Sequence, residues 1–468
     1  MLAMSAASLL TPHAADAATF TWNQTGAGPF AWDDPANWLP AGFPNAIGDI
    51  ALLNAADLTG NQVINMTSAI VIGQLQLGDF LGNSTYTIAA GGGSLAFDVT
   101  SGSALLAKNH GGLNIATLAG MDTISTGVLL SDNLIINNSI AGQGINLTGI
   151  IDDIANPGRS ITKEGAGFVQ LGSLGGPNNF SGGVIVNAGR LAVSLGNGAA
   201  GSGAITLNTG AQFDILNDAA LTLANNFIIR GNSVINVSNA IGGTAAANTA
   251  HVISGSLTLN NNTLVVAQAG AYNLTFTGAV NLLGKTSTFS NAATNPVITL
   301  GSAGIGAITG AGALNKVGAG QLILANTSAT GNSYTGGTNV FAGNLTINAG
   351  TITALGSGAV YVAPGAVLRL NDGNPFTGPA VFSIQSTLVA LSNISQSPTG
   401  AVNTAPGANT LGILDFGTDF AIGALAGGVR TSPILGAVLR TNGVAITNAV
   451  NMANVDRKST RLNSSHRH

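Results

Sequence analysis

The sequence predicts an all-β protein, wound as a parallel β-helix (a β-solenoid) into an elongated rod. Three observations carry this. First, apolar residues come in short runs that alternate with small or polar ones, as in VIVNAGRLAV (184–193), AITLNTGAQFDIL (204–216) and AVYVAPGAVLRL (359–370). A period of two, broken by Gly or Asn, marks short strands with one buried face. Second, one long phrase is written twice, and internal repeats of this length point to solenoids, propellers or arrays. Third, only 7% of the 468 residues are charged and 66 are Gly, against roughly 25% charged and 7% Gly in ordinary domains. Stacked coils have little room for unpaired charge, because burying it is costly.

Composition also excludes classes of function. The net charge of -4 argues against a nucleic-acid surface, which needs clustered Lys and Arg. Zero Cys removes disulfides, thiol catalysis and Cys-bound metals. No apolar run approaches the roughly 18 residues that a spanning helix needs.

Taken in order, residues 1–17 read as the remnant of a signal peptide. Leu2–Leu10 is apolar, and Ala15-Asp16-Ala17 has the small-x-small form of a cleavage site. Residues 18–60 form a Trp-rich region holding all three Trp of the chain, Trp22, Trp32 and Trp38. A solenoid end exposes unpaired strand edges, and bulky aromatics there would serve as a cap. The rival reading is a patch on which sugar rings stack.

Residues 61–455 are the expected solenoid, at roughly 20–25 residues per coil. The repeat copies lie near 161–216 and 314–370. ITKEGAGFVQL (161–171) matches LNKVGAGQLIL (314–324), FSGG (180–183) matches YTGG (334–337), and GSGAITL (201–207) matches GSGAVYV (356–362). The GAG of 165–167 returns 153 residues on, at 318–320. Repetition predicts equivalent coils added one on another. Asn residues at the turns are expected to form amide ladders between coils. Lys163 and Lys316 recur at one place in the phrase, which predicts a structural role: each amine bonded to turn carbonyls, its stem lying across the coil.

Residues 456–468 stand apart. Asp456–His466, DRKSTRLNSSH, fits the in-frame translation of a sequencing-library adapter, so this tail is expected not to be native. The alternative is a basic tail for an anionic surface.

The repeat resembles the autotransporter-associated β-strand repeat of bacterial autotransporter passengers and related secreted proteins. Lys163, Gly165, Gly167, Gly182 and Gly183 carry it in copy one, and Lys316, Gly318, Gly320, Gly336 and Gly337 in copy two. Trp22, Trp32 and Trp38 resemble the opening often found before such repeats. The resemblance covers about a quarter of the chain. It implies export from a Gram-negative cell and display at, or release from, the outer membrane. It also implies a C-terminal translocator barrel or other anchor, whose strand pattern is not seen after Gly400. Extracellular glycans or the surfaces of host or neighbouring cells are the implied partners; no cofactor and no nucleic acid are implied.

Chemistry is sparse. Asp152 and Asp153 could share a proton or hold Ca²⁺, as on polysaccharide-cleaving β-helices. The blander reading is a turn with two solvated carboxylates, since no acid stands before copy two. Asp33 and Asp34 are a second pair, read as turn initiation before Pro35. His110 and His251 are far apart, and no His/acid spacing fits zinc. The sequence therefore predicts a non-catalytic, exported structural or adhesive rod. The alternatives are a polysaccharide-active β-helix enzyme and a carbohydrate-binding surface protein.

Overall fold

The computed structural model describes residues 17–370, except 81–83, 110–119, 173, 245–246, 269–270, 292–295, 303–306, 327–330, 348–354, 359 and 364–365. Beyond 370 it describes separate backbone strands as far as Val438–Arg440. The signal segment up to residue 16, His110 and the tail 456–468 lie outside the described residues.

The chain is an all-β solenoid of stacked parallel sheets. The first sheet begins with Trp38–Leu39, antiparallel to Thr19–Trp22. From there its pairings are parallel, through Ile50–Leu53, Gln74–Leu77, Ala104–Lys108, Leu134–Asn138 and Ile161–Glu164 to Ile308–Thr309. The second sheet runs in one line from Phe30–Ala31, through Gln62–Met66 and Tyr86–Ala90, past Val360–Val362. The strand pairing crosses residue 60 without a break: Ile50–Leu53 pairs with Gln74–Leu77, and Phe30–Ala31 with Gln62–Met66.

Register explains why the apolar runs alternate. In the second sheet one inward column reads Ile64, Ile88, Ile124, Leu147, Leu171, Val193, Ile215 and Val237. All eight are fully buried. Burying one such side chain is worth about 1.5–3 kcal/mol, and no coil achieves this without neighbours above and below. Steps along the column are mostly 22–24 residues; the exception is 36, from Ile88 to Ile124. A slip of one residue would turn the column outward, so the alternation fixes the register.

The third face is not continuous. Ala69–Ile72, Ser94–Phe97, Gly127–Leu130 and Ile151–Asp152 form one ladder. A second ladder starts at Thr222–Leu223 and passes through Ala247–Ile253 and Ala271–Phe276. Between the two ladders, the coils carrying copy one have loops in place of a third strand: residues 174–183 and 194–204.

Candidate functional site

The repeat phrase is where the same side chains recur within this chain, and its geometry is nearly the same in both copies. Lys163 and Lys316 are fully buried. Each ammonium is caged by three backbone carbonyls. Lys163 Nζ donates to Glu164, Gly165 (2.7 Å) and Ala188 (3.3 Å). Lys316 Nζ donates to Val317 (2.7 Å), Gly318 (2.7 Å) and Ala342 (3.2 Å). Two acceptors belong to the corner that follows the lysine, and the third to the Ala-Gly corner of the next coil. Burial pulls each amine down to about 8; beside Lys163 the Glu164 carboxylate pulls the other way.

The corner needs glycine. Gly165 and Gly318 have φ of +73° and +78°. A Cβ there would stand 2.3 Å from the carbonyl oxygen of Asn138 or Asn291 in the coil below. Those two Asn are themselves equivalent. Asn138 donates to Gln143 and Phe168 carbonyls, and Asn291 to Pro296 and Gln321 carbonyls, at 2.9–3.0 Å. Gly167 and Gly320 return backbone N–H bonds to the same Asn carbonyls.

The second half of the phrase does something repetition alone does not predict: it ends a ladder. Asn178 Oδ1 accepts from Ile151 N at 2.8 Å, and Asn179 N donates to Ile151 O at 2.8 Å. Ile151–Asp152 is the last strand before the third face breaks. In copy two, Asn332 Oδ1 accepts from Ile308 N and Ser333 N donates to Ile308 O, both at 2.8 Å. Ile308–Thr309 is the last strand of the first sheet. Two residues later Phe180 or Tyr334, fully buried, fills the interior where the missing strand would have sent its side chains. Gly182 and Gly336 donate to Arg159 and Gly312 carbonyls, and Gly183 and Gly337 carbonyls accept from Ile161 and Leu314 N–H. The expectation that the phrase simply adds equivalent coils is therefore corrected. Each copy contributes six strands, two to a coil, and discontinues one face.

Asn ladders occur on the outer face. Asn187 bonds Glu164 and Asn208 bonds Asn187, both at 2.5 Å, and Asn339 bonds Asn315 at 2.8 Å.

The three Trp lie on or beside the terminal strands of the first two sheets and pack edge-on. Trp22–Trp38 centroids are 4.9 Å apart and Trp32–Trp38 are 4.8 Å apart. All three are at most 1% exposed, so none offers a face to a sugar ring. Their indole N–H groups are held by Gln62, Pro44 O and Trp32 O.

The acidic pairs are structural. Asp153 is 4% exposed, not solvated as the sequence suggested. Its Oδ2 takes Gly158 N, Arg159 N, Ser181 N and Ser181 Oγ at 2.8–3.0 Å. Burial raises its pKa, but these bonds outweigh that and hold it below the usual carboxylate range. Asp152 bonds Ile154 N and Asn179. Asp33 accepts from Thr67 and Ser68, which hold its pKa down, and Asp34 accepts from Ala36 N at the head of the 3₁₀ turn Pro35–Asn37. His251 is buried and stacked on Tyr272; its Nδ1 accepts from Leu221 N, and burial pulls its pKa down to about 4. Among the described residues no group of His, Asp and Glu could hold a metal ion, and no helix is long and apolar enough to cross a membrane.

Sequence reading missed one buried pair. Lys108 and Asp122, both fully buried, form an ion pair, and Asp122 also accepts from Tyr86 N. The signal was parity: in ALLAK (104–108) the lysine falls on an inward position of the alternation.

No family model and no solved structure matches the chain. Among curated proteins it is similar to the adhesin BmaC autotransporter of Brucella suis biovar 1 (strain 1330), with 29% identity over 311 residues. That alignment takes in 60% of this chain but only 8% of the adhesin. Fold, repeat and comparison agree: the chain is a β-solenoid with the architecture of an autotransporter passenger, similar to one part of an autotransporter adhesin.

Proposed function

We propose that this chain is a stretch of an exported, cell-surface or secreted passenger of a Gram-negative bacterium, working as a non-catalytic adhesive rod. The observation that carries the reading is the joint one: a parallel solenoid bearing the repeat, similar in sequence to a protein named as an autotransporter adhesin. A sparsely charged outer wall repeated along a rod favours many weak contacts that add through multivalency. Its partners on this reading are extracellular glycans or the surfaces of host or neighbouring cells, and a translocator or anchor belongs to the same system.

The enzymatic alternative draws no support from the acidic pairs. Asp153 Oδ2 is filled by four donors, and these bonds hold the carboxyl below the usual carboxylate range, which makes it a weak base. The test is surface display of the chain on a non-adherent bacterium, scored for attachment to mammalian cells and to sister bacteria. Attachment above the empty-display control supports the proposal. Equal attachment, or release of reducing sugar from polysaccharide at enzymatic rates, overturns it.

A further inference from the structure

The break in the third face leaves a groove. It has a volume of about 380 Å³, and its lining includes Pro177, Asn178, Asn179, Asn197, Ser202, Ala224 and Asn225. The size lies at the low end of the roughly 300–1,000 Å³ range of small-molecule sites. The groove is a product of the repeat. Asn178 and Asn179 close the upstream ladder at Ile151, while Asn197 Oδ1 takes Thr222 N, the first strand of the ladder that resumes. Both strand ends are thus occupied, so a peptide strand has no open edge here to extend.

Polar groups remain for a ligand. Asn178 and Asn225 are consumed: they donate to Gly172 and Ala199, and to Gly201 and Gly203 carbonyls. Asn179 Oδ1, Asn197 Nδ2 and Ser202 Oγ, all on exposed residues, have no hydrogen-bond partner among the described residues. They supply an acceptor, a donor and a group that is both. No lining residue is charged; the nearest carboxylate in the network, Asp152, is tied to Asn179. An anion finds no counter-charge, and a cation finds only that one. The same two loops, and the turn that ends the upstream ladder, expose Leu174 (70%), Leu195 (44%) and Ile154 (79%). Leu195 holds a left-handed backbone, φ +67°, a conformation that is strained for a residue with a Cβ. Strain kept at an exposed apolar position is a pointer to use rather than to packing.

We propose that this strandless face of copy one is a binding site for a neutral oligosaccharide, its hydroxyls met by Asn179, Asn197 and Ser202 and its C–H faces by Pro177 and Ala224 of the lining. This deepens the adhesive reading and rests on it.

The probe is a panel of uncharged, sulfated and sialylated oligosaccharides of three to five sugars, printed as an array and followed by calorimetry on the chain as it stands. The expected result is retention of at least one neutral glycan, with sulfation or sialylation of that glycan giving no gain. Ser202→Trp, which fills the groove, and Asn179→Ala are expected to weaken it tenfold or more while the melting temperature stays within two degrees or so of the parent. Retention of charged glycans only, of no glycan, or of the neutral glycan equally by both folded variants overturns the inference. Should Ser202→Trp fail to fold, Asn179→Ala alone decides. Cell attachment that survives both variants also overturns the site but leaves the adhesive reading standing.

Discussion

Copy one and copy two of the repeat fold alike yet sit on different faces of the solenoid. Ile161–Glu164, with Lys163, lies in the first sheet, and Phe168–Leu171 in the second. Leu314–Val317, with Lys316, lies in the second sheet, and Gln321–Leu324 on the third face. Between them the first sheet gains Val184–Val186, Ile205–Leu207, Phe227–Ile229, Leu257–Leu259, Val280–Asn281 and Ile308–Thr309. That is six whole coils, and the seventh move goes one face further. Copy one therefore interrupts the third face, and copy two ends the first sheet. The phrase encodes a corner and a stop, both local, and carries no address for the face on which they fall.

If that is correct, equivalent substitutions should behave alike in both copies although their surroundings differ. The largest effect is expected from the aromatic that fills the strandless coil. Phe180→Ala and Tyr334→Ala should each destabilise by about 3–5 kcal/mol, the ordinary cost of emptying a buried aromatic site. Tyr334 should lose more, since its hydroxyl also bonds Thr338 at 2.5 Å. Denaturant unfolding of the two variants checks this. A loss below about 1 kcal/mol in either copy would break the equivalence.

The caged lysines sharpen the comparison. Burial lowers both to about 8 from the ordinary 10.5. Between those values the unfolded chain binds more protons than the folded one, so stability rises with pH across the window 8 to 10.5. The gain is at most roughly 3 kcal/mol per lysine, and below pH 8 the penalty is fully present. Only Lys163 has a carboxylate beside it to offset burial. Glu164→Gln should therefore drop the Lys163 pKa below that of Lys316, read by nitrogen-15 NMR titration of the two amines. Lys316 should not move.

The smallest of the three effects concerns the stops. Asn178→Ala leaves Ile151 N without its acceptor, and Asn332→Ala does the same to Ile308 N. An unsatisfied buried donor costs about 1–3 kcal/mol. Hydrogen exchange should show faster opening at Ile151 in one variant and at Ile308 in the other, with the remote copy unchanged.

Much of this was legible beforehand, for a physical reason. Alternation in VIVNAGRLAV or AVYVAPGAVLRL is imposed by a pleat that buries every second side chain, so it survives in one dimension. The corner lysines were legible for the same reason: a lone cation written twice in an apolar frame must find carbonyls. The stop was not legible. Whether NNF or NSY is followed by a strand depends on what lies a coil below, and Ile151 and Ile308 are 27 and 24 residues before their Asn partners. Nor was the groove, whose two walls, Pro177–Asn179 and Asn197–Ser202, lie in successive coils. The Asp152–Asp153 pair misled because adjacency in sequence does not say which oxygen faces the turn.

The outermost strand of the first sheet, Trp38–Leu39, runs opposite to its neighbour Thr19–Trp22, and Pro40 follows it at once. A strand added beside it would meet reversed polarity and, at the proline, no N–H to pair with. A short, reversed strand followed by proline is a poor template for a further parallel coil.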